Sequence, residues 1–181
     1  MAPPPLLTFG HGRLGGDELG DLVRHAGIRL VVDIRRYPAS RTVPAANEGR
    51  LRTLLAERGT GYRWDERLGG RRTLTAEERA ASPDSWWQVD QFRAYAAWTR
   101  SPEFRAGLAE LLADVERGGT AVLCSESVWW RCHRRLVADV VSLEHGIRVL
   151  HVMPDGRLRE HRPSAGARPG RDGRLVWDAV G

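Results

Sequence analysis

Short apolar segments alternate with helical patterns along this chain, and that alternation limits its fold more than any other feature. Residues 6–9 and 29–34 are apolar and predict strands, whereas residues 17–25 place apolar side chains at helical spacing. A strand, a helix and a second strand within about thirty residues form a βαβ unit. The second segment is apolar throughout, which is typical of a parallel strand that is buried on both faces.

The alternation continues to residue 152. Further strands are predicted at 61–64, 120–124 and 147–152, and further helices at about 47–58, 88–99, 102–117 and 131–143. Residues 35–46 and 65–86 show neither period and predict loops. Repeated βα units predict an α/β protein with a Rossmann-like, mainly parallel sheet and helices on both faces.

The chain length predicts one domain, because 181 residues fall within the range of a single hydrophobic core. We place this α/β domain at residues 1–162. Residues 163–181 are rich in Pro, Gly and Arg, which predicts a mobile C-terminal tail with room for one short strand at residues 175–177.

Charge and hydropathy restrict the partners. No apolar run reaches the roughly 20 residues that a membrane-spanning helix needs, so we expect no membrane partner. The N-terminus lacks the pattern of a secretory signal, and two cysteines are too few for a disulfide framework, so we expect a cytoplasmic protein. All 28 basic residues are arginine and the net charge is +5, which favours a small anionic ligand or nucleic acid as partner.

Polar side chains follow three of the predicted strands. In parallel α/β sheets, ligands bind beyond the carboxyl ends of the strands, so these side chains are expected to converge on one edge. They are His11 after the first strand, then Asp33, Arg35, Ser40 and Arg41 after the second, then Cys124, Glu126, Cys132, His133 and Arg134 after the fourth.

Cys132, His133 and Arg134 open a predicted helix. The unpaired amides and positive dipole end of a helix start favour an anion, and the same field lowers the pKa of a cysteine there. The alternative is a small buried cysteine that packs the helix start. Cys124 ends a buried strand and is expected to form a wall of the site. Adjacent Cys132 and His133 seldom point at one ion, so no metal site is predicted.

His11 lies between two glycines, where the backbone can approach a ligand and an imidazole can transfer a proton. Asp33 and Arg35 are close in sequence after their strand. They could contribute to a site, or they could form an ion pair of purely structural use.

A set of motifs resembles the bacterial and archaeal family called domain of unknown function 488, over about residues 8–161. The motifs are Thr8-Phe9-Gly10-His11-Gly12, residues 32–41, Leu68-Gly69-Gly70, residues 92–96, Leu123-Cys124-Ser125-Glu126, Cys132-His133-Arg134, His151 and His161. Phe9 and the sequence Ser125-Glu126-Ser127 depart from the family pattern. The resemblance implies a Rossmann-like fold and a site that also includes Tyr62, and it implies no established reaction.

These observations lead to one principal hypothesis, an enzyme that acts on a phosphate-bearing or nucleobase-containing ligand without a cofactor. The predicted catalytic residues are His11, Glu126, Cys132 and His133, and the predicted ligand-binding residues are Asp33, Arg35, Ser40, Arg41, Tyr62, Cys124 and Arg134. His11 or Glu126 would serve as general acid or base, and Cys132 as nucleophile or redox-sensitive neighbour. The alternative is a non-catalytic nucleic-acid-binding or ligand-sensing module.

Overall fold

A six-stranded sheet forms the centre of the protein, which is described by a computed structural model over residues 1–178. Its strands are β1 (Leu6–Gly10), β2 (Leu30–Asp33), β3 (Gly61–Trp64), β4 (Thr120–Cys124), β5 (Val149–Val152) and β6 (Leu158–Glu160). They lie in the order β3-β2-β4-β1-β5-β6. The first five are parallel and the edge strand β6 is antiparallel to β5. The predicted mainly parallel sheet is therefore confirmed.

Helices cover both faces of this sheet, as the sequence predicts. They are α1 (Gly16–His25), α2 (Glu48–Ala56), α3 (Ala76–Ala81), α4 (Asp90–Trp98), α5 (Pro102–Glu116) and α6 (Arg134–His145). α1 and α2 bury leucines against one face of the sheet, whereas α4, α5 and α6 pack on the other. β1, β2 and β4 are thus shielded on both sides, which explains why they are mostly apolar. No helix within residues 1–178 is long and apolar enough to cross a bilayer.

The chain reverses its winding direction at β4. The connection from β1 to β2 carries α1 past β4 on one face, and the connection from β4 to β5 carries α6 past β1 on the other. The segments that follow β1 and β4 therefore diverge and leave a crevice at their carboxyl ends. Such a reversal point is where ligands bind in open α/β sheets.

The helix bounds near this crevice differ from the prediction in one important way. α6 begins at Arg134 rather than at residue 131, because Trp129–Arg131 forms a short 3-10 turn and Cys132 is extended, at φ −126° and ψ 152°. Cys132 consequently lies immediately before the helix rather than inside it. The six-residue helix α3, in the predicted loop 65–86, has no buried side chain, so no apolar period indicates it.

The C-terminal segment packs against the domain over its described part, residues 163–178. Two short antiparallel strands, β7 (Ala167–Pro169) and β8 (Leu175–Trp177), form a hairpin, and the expected short strand is β8. Leu175 and Trp177 are fully buried in the core beside α4, α5 and α6. A tryptophan buries a large apolar area, which offsets the entropy cost of ordering a Gly- and Pro-rich segment. The last three residues of the predicted tail lie outside the described part of the chain.

Gly10 permits the close approach of the β1 end to the loop after β4. A Cβ atom at Gly10 would lie 1.7 Å from the carbonyl oxygen of Glu126 and 3.0 Å from the Cα of Ser127. Two hydrogen bonds continue the strand pairing beyond the sheet, from His11 N–H to the Cys124 carbonyl and from Gly12 N–H to the Ser125 carbonyl. No side chain fits between these two backbones.

We therefore expect Gly10→Ala to lower the free energy of unfolding by about 1–3 kcal/mol, because the clash is with backbone atoms that a rotamer change cannot relieve. Urea denaturation measures this change. Gly49→Ala is the matched control, since a Cβ there meets no atom within 4 Å. It should leave stability unchanged or raise it by up to about 1 kcal/mol. Equal stability of Gly10→Ala and the wild type would contradict the close approach.

Candidate active site

Two adjoining cavities open at the crevice between β1 and β4. The inner one, here called the thiol pocket, has a volume of about 330 Å³, and its lining includes Arg35, Tyr95, Cys124, Arg131, Cys132 and His133. The outer one, here called the outer groove, has a volume of about 1230 Å³, and its lining includes His11, Arg13, Glu18, Ser40, Arg41 and Ser127. Tyr37, Ala39, Arg71, Ser125 and Glu126 border both. The structure thus brings most of the predicted site residues to one edge of the sheet.

The Cys132 thiol lies at the amino-terminal end of α6. The backbone N–H of Arg134 donates to Cys132 Sγ at 3.4 Å, and the side chain is 6% exposed. Burial raises the pKa of this thiol, but the neighbouring Cys124 side chain and the charge and N–H groups of Arg134 outweigh burial and lower it to about 7. A large share of Cys132 is therefore thiolate at neutral pH.

The His133 imidazole is held in one tautomer. His133 Nε2 lies 2.8 Å from the carbonyl oxygen of Ile34, which only accepts, so Nε2 carries the hydrogen. The unprotonated Nδ1 then faces Cys132 Sγ at 3.5 Å. Burial lowers the pKa of His133, which keeps the ring neutral. A base oriented by a third group beside a thiol is the arrangement that activates a nucleophile.

Cys124 is the second thiol of the pocket. It ends β4, is 1% exposed, and its Sγ donates to the Glu126 carbonyl at 3.6 Å. Burial raises the pKa of Cys124 well above its ordinary value, so this residue stays a neutral thiol beside the activated Cys132. The prediction that Cys124 forms part of the site wall agrees with its place in the lining.

Arg134 does not project into either cavity, contrary to the prediction that it holds the ligand. Its guanidinium is 1% exposed and donates to Thr8 Oγ1 at 3.0 Å and to the carbonyl oxygens of Glu126 at 2.7 Å and Ser127 at 3.4 Å. It is absent from the described linings of both cavities. Arg134 is therefore a positioning residue for the loop above the thiols.

A buried chain of hydrogen bonds continues from Arg134. Thr8 Oγ1 lies 2.6 Å from His151 Nδ1, His151 Nε2 lies 2.9 Å from His161 Nδ1, and His161 Nε2 lies 2.8 Å from Asp139 Oδ1. A guanidinium only donates and a carboxylate only accepts, so the chain runs in one direction from Arg134 to Asp139. Burial, and then the neighbouring His161 and Arg134, lower the pKa of His151 to about 2.

Asp139 ends this chain and also receives the C-terminal segment. Its Oδ1 accepts from the backbone N–H of Ser164 at 3.0 Å, and its Oδ2 accepts from Trp177 Nε1 at 2.9 Å. The carboxylate is fully buried. No signal in the sequence identified Asp139, because an aspartate inside a helical pattern normally faces solvent.

Asp33 is hydrogen-bonded to both Arg35 and Tyr62. Asp33 Oδ1 accepts from Arg35 N and Nε, at 3.1 and 2.9 Å, and Oδ2 accepts from Arg35 Nη2 and Tyr62 OH, both at 2.6 Å. Four donors occupy the buried Asp33 carboxylate. Asp33 and Arg35 therefore form the ion pair that the sequence analysis gave as the structural alternative. Arg35 Nη1 has no hydrogen-bond partner in the described chain, and Arg35 lines the thiol pocket. This N–H group is available to an anion.

His11 is the polar group of the outer groove that is best prepared for proton transfer. Its side chain is 3% exposed, and Nδ1 donates to the Gly12 carbonyl at 2.9 Å. Nε2 is therefore unprotonated, is buried, and hydrogen-bonds to nothing within residues 1–178. Burial lowers the pKa of His11 more than its bond to Gly12 raises it. The ring can accept a proton from a bound molecule.

The remaining predicted residues border the outer groove. Ser40 shapes the turn beneath it, because its Oγ accepts from Val43 N at 3.0 Å. Arg41 and Glu126 are exposed, and Glu126 lines both cavities. Arg36 and Arg71, which also line the thiol pocket, were not predicted from the sequence. Their only sequence signal is a position in polar loops, which many other arginines share.

We expect Asp139→Asn to lower the free energy of unfolding by about 1–3 kcal/mol, because the new NH₂ group faces buried N–H donors and leaves one of them unpaired. Urea denaturation measures the loss. Asp155→Asn, in an exposed turn, is the control and should change stability by less than about 0.5 kcal/mol. A loss of the same size in both variants would contradict the role assigned to the buried chain.

Comparison with known proteins identifies a family and no characterised relative. No curated protein and no solved structure matches the chain. One family model, described as Domain of unknown function DUF488, matches residues 16–141. The matched segment runs from α1 to α6 and contains both thiols and His133, whereas His11, His151 and His161 lie outside it. Because this match covers more than half of the chain, the protein belongs to the DUF488 family.

Proposed function

We propose that the protein is an enzyme that acts on a phosphate-bearing or nucleobase-containing ligand with Cys132 as its nucleophile. The observation that carries this proposal is the position of Cys132 Sγ, at the start of α6 and 3.5 Å from the unprotonated Nδ1 of His133. Both groups line a cavity of about 330 Å³, a size in the range of small-molecule sites.

The charge of the thiol pocket favours an anionic group. Its described lining contains four arginines, Arg35, Arg36, Arg71 and Arg131, against the single carboxylate of Glu126. Arg35 offers the unpartnered Nη1 from a buried position that Asp33 fixes. A guanidinium whose orientation is fixed in advance loses little entropy when it binds phosphate.

In this proposal the thiol pocket carries out nucleophilic attack and the outer groove carries out proton transfer. In the thiol pocket, His133 Nδ1 takes the proton of the Cys132 thiol, and the thiolate attacks an electrophilic atom of the ligand. The arginines stabilise negative charge that develops on the ligand. In the outer groove, His11 Nε2 accepts a proton from an attacking water or ligand hydroxyl, and the exposed Glu126 is the alternative general base.

A non-catalytic nucleic-acid-binding function is the second candidate, and an aromatic surface favours it. Trp130 is 46% exposed and packs edge-to-face against Trp129 at 5.7 Å between ring centroids. Both border a surface cavity of about 660 Å³ with Arg159 and Arg162. Exposed tryptophans beside arginines can stack bases and bind phosphates, in a manner that weakens steeply as salt rises.

The alkylation of Cys132 by iodoacetamide should rise with pH and reach half of its maximal rate near pH 7, because the thiolate is the reacting form. Mass spectrometry of digested protein measures each cysteine separately. In the protein unfolded with guanidinium chloride, the midpoint should move to about 8.5, the ordinary cysteine pKa. Cys124 is the internal control and should react more slowly in the folded protein, because burial raises its pKa. A folded-state midpoint for Cys132 at or above the unfolded one would contradict an activated nucleophile.

A thermal-shift panel tests the ligand class with inorganic phosphate, nucleosides, nucleotides, sugar phosphates and short oligonucleotides. A small phosphate-bearing ligand at about 100 times its Kd should stabilise the folded state by roughly 2.7 kcal/mol and raise Tm by several degrees. Arg131→Gln should reduce this shift, because Arg131 lines the thiol pocket. Arg24→Gln, an exposed arginine on α1, is the matched control and should preserve it.

The same panel separates the candidates. Conversion of the shifting ligand by the wild type, and its loss in Cys132→Ser, would support the enzyme. Shifts from oligonucleotides alone that vanish at high salt would favour the nucleic-acid-binding function. Recovery of a tight ligand unmodified after long incubation would favour a ligand sensor.

A further inference from the structure

The only two cysteines of the sequence meet in one small pocket, although they belong to different elements. Cys124 is the last residue of β4 and Cys132 lies two residues before the start of α6. Both are unpaired and both line the thiol pocket, where each side chain influences the pKa of the other. The fold therefore places both thiols in one cavity. Cysteines that serve only to pack the core would not need to share one.

The two thiols have unequal surroundings. Cys132 Sγ faces the N–H of Arg134 and the Nδ1 of His133, whereas Cys124 Sγ faces the Glu126 carbonyl. When a thiolate attacks a peroxide it becomes a sulfenic acid, and a neighbouring thiol can then attack the sulfenic acid to form a disulfide. In the thiol pocket, Cys132 would be the attacking cysteine and Cys124 the resolving cysteine. Arg131 and Arg35 line the same pocket and can stabilise the oxygen anion that leaves.

We propose that the thiol pocket is a modification site for hydroperoxides, in which Cys132 is oxidised first and Cys124 then closes a reversible intramolecular disulfide. The Cys132 thiolate attacks one peroxide oxygen, the O–O bond breaks, and the alkoxide leaves and takes up the proton released by the thiol. Cys132 is now a sulfenic acid. Cys124 attacks its sulfur, the S–O bond breaks, and the hydroxide takes the Cys124 proton to form water. In sum, two thiols and one hydroperoxide give one disulfide, one alcohol and one water.

Closure of the disulfide requires a change at both cysteines. Cys132 is extended and lies between a 3-10 turn and α6, so its side chain can turn without breaking a helical hydrogen bond of its own. The contact from Cys124 Sγ to the Glu126 carbonyl must be lost when the disulfide forms. Residues 125–131 join the two cysteines and include the exposed Ser125, Glu126 and Trp130. The disulfide itself does not depend on the proposed enzymatic function.

The test uses the full-length protein, reduced and then exposed to tert-butyl hydroperoxide under native conditions. Intact mass spectrometry of the wild type should show a loss of about 2 Da and of both free thiols, which dithiothreitol reverses. Cys124→Ser should instead accumulate a Cys132 sulfenic acid that dimedone traps, and Cys132→Ser should retain its one thiol. Cys124→Ala and Cys132→Ala repeat the comparison without a hydroxyl, and circular dichroism verifies that each variant is folded.

Two outcomes would overturn the proposal. One is a wild type that proceeds to a sulfinic acid on Cys132 with Cys124 still reduced, and the other is a disulfide that links two chains on a non-reducing gel.

Failure of the proposed function gives results different from failure of the disulfide proposal. A protein that forms the disulfide but neither binds nor converts any ligand of the thermal-shift panel would leave this inference standing alone. Ligand conversion that depends on Cys132, in a protein that forms no disulfide, would refute only the inference.

Discussion

The buried guanidinium of Arg134 connects every part of the candidate site. It reaches Thr8 on β1 and the carbonyl oxygens of Glu126 and Ser127 in the loop after β4. Its backbone N–H holds the Cys132 sulfur, and its charge helps to lower the pKa of that thiol. Burying such a charge costs several kcal/mol unless it is paired and hydrogen-bonded. A chain of hydrogen bonds through Thr8, His151 and His161 connects the Arg134 guanidinium to the negative charge of the Asp139 carboxylate.

This arrangement also connects the site to the C-terminal segment. Asp139 accepts from Ser164 and from Trp177, which lies in β8 at the far end of the chain. The hairpin and the thiols therefore share one network of buried polar groups. In a medium of low polarity such a network is stable only when all of its members are satisfied, so a change at either end affects the other.

The course of the chain explains why this network lies at the carboxyl edge of the sheet. β4 lies between β1 and β2, and the connection that leaves β4 runs to the opposite face of the sheet from those that leave β1 and β2. Three segments after strands must therefore meet, and Gly10 lets two of them touch backbone to backbone. The same convergence places His11 beside the outer groove and Cys132 beside Cys124 in the thiol pocket.

The sequence by itself determined the α/β class, the parallel sheet, most helix and strand positions and the edge on which the polar residues gather. Apolar periodicity is local, and residues at strand ends must lie together in a parallel sheet, so both follow without coordinates.

Only the tertiary structure decided what each polar group does. Asp33 proved to be occupied by four internal donors, and Nη1 and Nη2 of Arg134 by internal acceptors, whereas His11 Nε2 and Arg35 Nη1 were left unpartnered within the described chain. The order of the C-terminal hairpin was decided in the same way, because the cavity that buries Trp177 exists only after α4, α5 and α6 have packed. Hydrogen-bond saturation and burial depend on residues far apart in sequence, and a linear pattern does not encode them.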